Sequence, residues 1–557
     1  MSETQKEISS HIADPDLERL HELGYAQELG RRMQGFSNMA VSFSIISILA
    51  GCLTTFYLAL YAGGGPVLTF GWPLVTLMSI CVALALGEVC SSYPTTGALY
   101  YWSAKLAKRN APVWSWTTGW FNLIGQVAIT ASVDFGLANF IGGFLMLTSN
   151  FKPTPLSILF IYGVLLLSHA ILNSLGVHLI SLINDVSVWW HLAGVAVFAG
   201  VLAILPEHHA STSFVITDFQ NNTGWSGRGS GIFVFFVGCL LAQYTITGFD
   251  ASAHMSEETK NAATAAPKGM VTSVWLSGAA GYVLLLAVAF AIRPGFDYLG
   301  AAGSLITAPI FIIQDAIGTT GAKILVGIAC IAQFFAGNAC LTSNSRMLFA
   351  FSRDGAVPGH RIWHRVNPKR RTPTNAIWLC AFAAFLAGVP SLREAGGFPA
   401  TFFAIVSIGV IGLYISYVIP VFLRLRQGAD FQVGPWHLGK WGPLIGWIAV
   451  VWVVFISIIC LLPQFSPITF ASFNYTPVAL LVLFLFVYGY WILSARKWYN
   501  GPLIQGTTAE LLEIEAKFDS FSKEGSSTES FRALEDALDS RVGNPEHPTN
   551  NVKKAPQ

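Results

Sequence analysis

Long apolar runs separated by short polar breaks make up most of this chain, and the runs are longer than the core helices of a water-soluble fold require. About 20 mainly apolar residues carry a helix across a bilayer. Twelve stretches reach that length: 38–60, 66–89, 115–147, 155–173, 177–204, 231–253, 271–292, 321–351, 374–390, 400–423, 441–463 and 473–494. A thirteenth piece, 304–318, is too short to span and carries Asp315, so it reads as a surface or re-entrant helix. The pattern predicts an all-α polytopic membrane protein with 12 transmembrane helices. The third and eighth runs exceed the bilayer thickness and imply tilt. A charged 34-residue segment precedes the first run, which therefore does not read as a cleavable signal.

Charge sharpens this picture. Of 557 residues only 11% are charged, against about 25% in a soluble protein. Residues 1–34 hold 11 of those charges and residues 503–557 hold 16, leaving 35 for the 468 residues between. So few charges cannot clothe a water-facing surface, and a soluble enzyme, a disordered chain and a nucleic-acid binder are all excluded. Twelve spans put both termini on one side, and basic residues gather on the cytosolic side of membrane proteins. Counted that way, 27 Lys and Arg fall inside and five (Lys152, Arg228, Arg293, Lys323 and Arg393) fall outside. Both termini are expected in the cytosol. Seven acidic residues in the N-terminal segment argue against a mitochondrial presequence. The plasma membrane is the default location and an organelle membrane the alternative.

The eight cysteines all sit in apolar runs with no Cys-x-x-Cys pair, which reads as small buried hydrophobes and not as a disulfide or metal framework. Two amphipathic patterns, 509–516 and 530–537, suit a solvated cytosolic tail with a helix or two. The basic inner loop containing Arg361, Arg365, Lys369, Arg370 and Arg371 is explained by topology and contact with anionic lipid. No phosphate-binding Gly-x-x-x-x-Gly-Lys-Ser/Thr run is present, so this chain alone is not an ATP-driven pump. Nothing calls for a cofactor or a metal, and no oligomeric state is readable.

Two runs depart from simple hydropathy. The first contains Ser42, Ser44, Ser47, Ala50, Gly51, Cys52, Thr54 and Thr55; the sixth contains Gln243, Tyr244, Thr245, Thr247, Gly248, Asp250, Ser252 and His254. Each sets hydroxyls around a glycine near mid-membrane. Interrupted helices in corresponding positions, five spans apart, point to an inverted-repeat transporter. At such a break the free N–H groups of one half-helix suit a carboxylate and the free carbonyls of the other suit an ammonium. Close helix packing is the plainer use of either glycine alone.

Four longer motifs carry a family resemblance. They are Thr247 to Asn261 with Pro267, Glu88 to Trp102, Thr342 to Gly355, and Ser407 to Tyr417. In this order they resemble the amino acid–polyamine–organocation (APC) permeases, in the amino acid/choline transporter branch, and most of all its bidirectional amino-acid and GABA permeases. The resemblance covers about residues 20–502. It implies a leucine-transporter-type 5+5 inverted repeat with helices 1 and 6 broken, repeats at 38–204 and 231–423, two further spans within 441–494, and cytosolic segments at 1–37 and 503–557.

Carried over residue by residue, the resemblance implies a carboxylate site at Ser47, Ala50, Gly51 and Cys52. Relatives often have a hydroxyl where this chain has Ala50, so one donor is missing. It implies an aromatic over the substrate at Tyr244, with Thr245 beside it, and backbone carbonyls facing an amine at Thr247 and Gly248. Asp250 matches an acidic residue used in gating and coupling. His191 falls, on an ungapped count, where proton-coupled relatives carry a lysine, and a histidine there could couple H+ to transport; a half-buried interfacial histidine is the plainer reading. Glu88 and Asp134 are candidates for an internal polar network. Arg346, Arg353 and Asp354 are expected to pair near a cytosolic gate.

The expected function is secondary active transport of small amino acids or amines across the lipid bilayer; the resemblance makes GABA the lead candidate, and a first span without a charged side chain favours zwitterions. A choline or other amine permease is the alternative. An amino-acid sensor with a transporter fold is the rival from another class. A membrane enzyme lacks any nucleophile, base and metal constellation at membrane depth.

Overall fold

The computed structural model describes residues 14–524, apart from 302–303, 368, 394–398 and 470–471. Among them, eleven helices are long and apolar enough to cross a membrane. The sixth predicted run falls short of that length because it is divided into Ser230–Gly238, Leu240–Thr245 and Ala251–His254. The first run is divided as well, into Gly35–Ile46, Ile48–Thr54 and Phe56–Tyr61. The all-α polytopic architecture is as the hydropathy pattern requires.

The Ala111–Thr148 helix runs through the middle of the bundle and packs against Ala400–Gln427 and Ala308–Arg353. Small residues allow this closeness: a Cβ on Gly412 would lie 2.8 Å from the Cα of Gly125. The Thr476–Leu493 helix stands at the perimeter and turns Leu481, Val482, Leu485 and Phe486 outward, as a lipid-facing helix must. A straight 46-residue helix would be about 69 Å long. Ala308–Arg353 avoids this through Gly318, whose φ of 74° and ψ of 173° break it. The short apolar piece at 304–318 is thus a helix of its own, joined to the span through a glycine, and Asp315 in it pairs with Arg293 at 3.3 Å.

The described segments that flank the bundle, 14–34 and 503–524, meet at one end of it. The Gln505 N–H donates to the Gly24 carbonyl (2.9 Å), and the Arg32 and Met33 N–H groups donate to the Glu258 carbonyl. The amphipathic pattern at 509–516 forms part of a helix, Thr508–Glu524, which is docked and not freely solvated: Leu511, Ile514 and Phe518 are buried. Glu515 of this helix pairs with His21 at 2.8 Å. The pattern at 530–537 lies outside the described residues.

Candidate functional site

The break in the first run is at Ser47, whose left-handed backbone (φ 33°, ψ 79°) ends one helix and begins the next. The expectation from sequence centred on Gly51, which instead lies inside Ile48–Thr54. Its missing side chain serves close approach and not backbone freedom: a Cβ there would sit 2.7 Å from both Oγ1 and Cγ2 of Thr245. The first N–H groups of the new helix, at Ile48 and Leu49, have no acceptor within it. Ser47, Ala50, Gly51 and Cys52 are all buried, as are Tyr244, Thr245 and Thr247.

The sixth run unwinds after Thr245, and Gly248 takes a φ of 85°, which a glycine adopts without strain. A Cβ on Gly248 would lie 2.3 Å from Cγ2 of Ile45, so the two broken helices face each other at both glycines. Two tyrosines of the Ala400–Gln427 helix bracket the unwound backbone. The Tyr414 hydroxyl donates to the Ile246 carbonyl at 2.6 Å. The Tyr417 hydroxyl accepts from the Gly248 N–H at 3.2 Å and donates to Asp250 Oδ1 at 2.6 Å. Ser42 crosses from the first run, donating to the Phe249 carbonyl and accepting from the Ser252 N–H. Tyr244 donates to Ser132 Oγ at 2.9 Å, and Thr247 to the Gln243 carbonyl at 2.6 Å.

Asp250 is a hub. Its Oδ2 accepts from Asn122 Nδ2 (3.0 Å) and Gln126 Nε2 (3.3 Å), both on the third span, and faces His254 Nε2 at 3.2 Å. The other ring nitrogen of His254 lies 2.9 Å from the Thr96 carbonyl. His191 is fully buried, not half-buried at an interface, and stands at the first break: its Nε2 is 2.7 Å from Ser47 Oγ and its Nδ1 is 2.8 Å from the Ser187 carbonyl. A carbonyl only accepts, so Nδ1 carries the proton and Ser47 donates to Nε2.

At the end of the bundle where the segments 14–34 and 503–524 meet, buried ion pairs tie distant parts of the chain together. Arg353 grips Glu257 with both guanidinium arms (3.1 and 3.0 Å) and lies 4.0 Å over the Tyr25 ring. Arg346 pairs with Glu258 at 2.9 Å. The expected pairing among Arg346, Arg353 and Asp354 is therefore replaced. Both arginines turn to the glutamates that follow the sixth run, and Asp354 accepts from Tyr25, Tyr100 and the Leu503 N–H. Glu88 belongs to this end, pairing with Arg424 at 2.8 Å. Asp134 pairs with His169 at 3.1 Å, apart from the Asp250 cluster. At the opposite end, a cavity of about 820 Å³ is lined by Tyr61, Arg293, Phe296, Asp297 and Tyr298 among others.

Tyr414, Tyr417, His254, Glu257 and Glu258 lie within the motifs above without a role that the sequence alone assigns, and Asn122 and Gln126 carry no mark in it at all. One signal was available. Arg346 and Arg353, seven apart, share a helix face, and two adjacent buried-side glutamates end the sixth run to meet them.

Residues 35–486 match the family profile for amino acid permeases. The chain is 43% identical to the amino-acid permease BAT1 of Arabidopsis thaliana, over 88% of this chain and 97% of the relative. It is 41% identical to the BAT1 homolog of Oryza sativa subsp. japonica, over 87% and 95% respectively. Amino-acid permease 2 of Neurospora crassa is 27% identical over 89% of this chain and 90% of its own length. A membrane-embedded bundle whose broken helices meet at an uncharged, backbone-lined site fits that likeness, and the chain belongs to the amino acid permease family of the APC superfamily: it is an integral multi-pass transporter of amino acids, not an enzyme.

Proposed function

We propose that this permease is a secondary transporter for small zwitterionic amino acids or amines, GABA first among them, working by alternating access. The supporting observation is the meeting of the two breaks. Ser47, Ala50, Gly51, Cys52, Tyr244, Thr245, Thr247 and Gly248 surround it with hydroxyls, backbone and apolar surface and no formal charge. A zwitterion needs none, because half-helix N–H groups and carbonyls supply both complementary charges. Spans one to five and six to ten act as the two inverted repeats. The closed ion-pair end faces the cytosol of a cell whose plasma membrane holds the protein, with both termini inside, as the distribution of basic residues requires. Asp250, Glu88 and Arg353 form the gating and coupling set, and His191 fixes Ser47 at the carboxylate end of the site.

Uptake of labelled GABA, alanine, glutamate and choline into proteoliposomes tests this. GABA or alanine counterflow is expected. Flux of choline alone would convert the reading to an amine permease, and no counterflow of any amino acid would end it. A sensor reading draws on one observation, the tail helix docked beside the gate. Deleting 507–557 spares the contacts of Leu503 and Gln505. A transporter keeps its flux without those residues.

A further inference from the structure

Among the described residues, three histidines are fully buried: His169, His191 and His254. A neutral imidazole donates from one nitrogen and accepts at the other. His191 obeys this, with a carbonyl at Nδ1 and a hydroxyl that can donate at Nε2. His169 obeys it too: Nδ1 faces Asp134, and Nε2 has no hydrogen-bond partner. His254 does not. Its Nδ1 faces the Thr96 carbonyl oxygen at 2.9 Å and its Nε2 faces Asp250 Oδ2 at 3.2 Å, and both are acceptors. A neutral ring beside an ionised carboxylate would oppose two lone pairs in a site without solvent exposure. Such a buried conflict is costly. Both contacts are satisfied when the pair holds one more proton, as imidazolium with carboxylate or as neutral ring with carboxylic acid.

From this we infer that the Asp250–His254 pair is a proton-binding site whose proton is coupled to amino-acid movement, an inference that rests on the transport reading above. Its neighbours suit the task. The third span presents only the neutral amides of Asn122 and Gln126, and the tenth presents the Tyr417 hydroxyl, with the Tyr414 ring behind it. The 93–97 segment presents a backbone carbonyl. His254 is the basic group paired with Asp250.

The pair also stands between site and gate. On one side, the Gly248 N–H donates to Tyr417 and Tyr417 donates to Asp250. On the other, Thr96 accepts at its carbonyl and donates its N–H to Glu257 at 3.0 Å, and Glu257 holds Arg353. Binding makes one N–H or O–H bond with a proton taken from water on the open side. Release breaks it, opposes the lone pairs, and pushes His254 or Thr96 away from the closed arrangement. The event that loosens the gate is thus felt at the unwound glycine.

Proteoliposomes loaded with a pH-sensitive dye test this. Wild type is expected to acidify the lumen with a proton for each amino acid taken up. His254→Gln combined with Asp250→Asn leaves neither member of the pair able to gain a proton, and the ratio of protons to substrate in this double variant is expected to fall to zero. His191→Gln, which disturbs the contacts to Ser47 and Ser187 but leaves the Asp250–His254 pair intact, is expected to be slower while keeping the wild-type ratio. Wild-type flux without acidification, or the double variant keeping the ratio, would overturn the inference. Ring ¹⁵N shifts of wild-type His254, read with the Asp250 carboxyl signal, decide the matter without transport or a stable variant. A neutral ring beside an ionised carboxylate at neutral pH overturns it. If wild type moves no amino acid at all, the transport reading fails while these spectra still settle the proton.

Discussion

Ser47 carries a backbone angle that L-residues avoid, at a cost of about 1–3 kcal/mol, and the hydrogen bond between its hydroxyl and His191 is the visible compensation. Two substitutions separate these effects. Ser47→Ala keeps the strain and leaves His191 Nε2 unpaired, whereas Ser47→Gly loses the same bond but relieves the strain. The alanine variant is therefore expected to melt at the lower temperature in detergent by thermal-shift measurement; the reverse order would show that the left-handed angle is not what the site resists. Gly51 makes the complementary case. Gly51→Ala drives a methyl into Thr245 and is expected to cost about 1–3 kcal/mol, with uptake lost, and Thr245→Ala in the same chain should restore part of the stability. At this scale the sequence was misleading for an identifiable reason. A glycine among hydroxyls looks the same whether it is needed for positive φ, as at Gly248, or for close approach, as at Gly51, and only the facing residue distinguishes the two.

Broken helices are the elements that matter, and both could be located from the chain because an apolar run interrupted by Ser, Thr and Gly carries its own mark. What holds the breaks open was not legible. Tyr414 and Tyr417 lie more than 160 residues from the backbone they satisfy, and a tyrosine in an apolar span gives no hint of which carbonyl it meets. The two tyrosines should differ in effect. Tyr414→Phe removes partners from the Ile246 carbonyl and the Ser79 hydroxyl, while Tyr417→Phe strips both Gly248 N–H and the Asp250 carboxylate of a partner. Initial uptake is expected to fall by about tenfold more in the second, because a buried hydrogen bond to a carboxylate is worth more than one to a hydroxyl. Equal rates in the two variants would show that Asp250 does not depend on Tyr417. The spans themselves were the most readable feature, since length and hydropathy are local, and the divided sixth run misses the length of a span only because function interrupts it.

Across the whole molecule, one end is held by buried pairs that join distant parts of the chain: Glu257 to Arg353, Glu258 to Arg346 and Glu88 to Arg424. Removing one partner of a buried pair leaves a charge without compensation. Arg353→Ala is thus expected to cost about 3–5 kcal/mol, and Arg353→Ala with Glu257→Ala together should cost less than the single change by thermal melt. Asp354 beside this pair gives the closed end a pH dependence of its own. Burial pushes its carboxyl up to about 6, against the opposing pull of Arg353 and the hydrogen bonds from Tyr100, Leu503 and Tyr25. The ordinary value is 3.8, so the folded chain holds this proton more tightly than the unfolded chain does. Ionisation of Asp354 therefore weakens the fold above about pH 6, and the penalty is removed as pH falls from about 6 towards 4. The gap corresponds to about 3 kcal/mol. Asp354→Asn cannot ionise, so the melting temperature of wild type should rise relative to this variant on acidification across that window. Parallel pH profiles for the two proteins would remove Asp354 as the source and leave the closed end indifferent to mild acid.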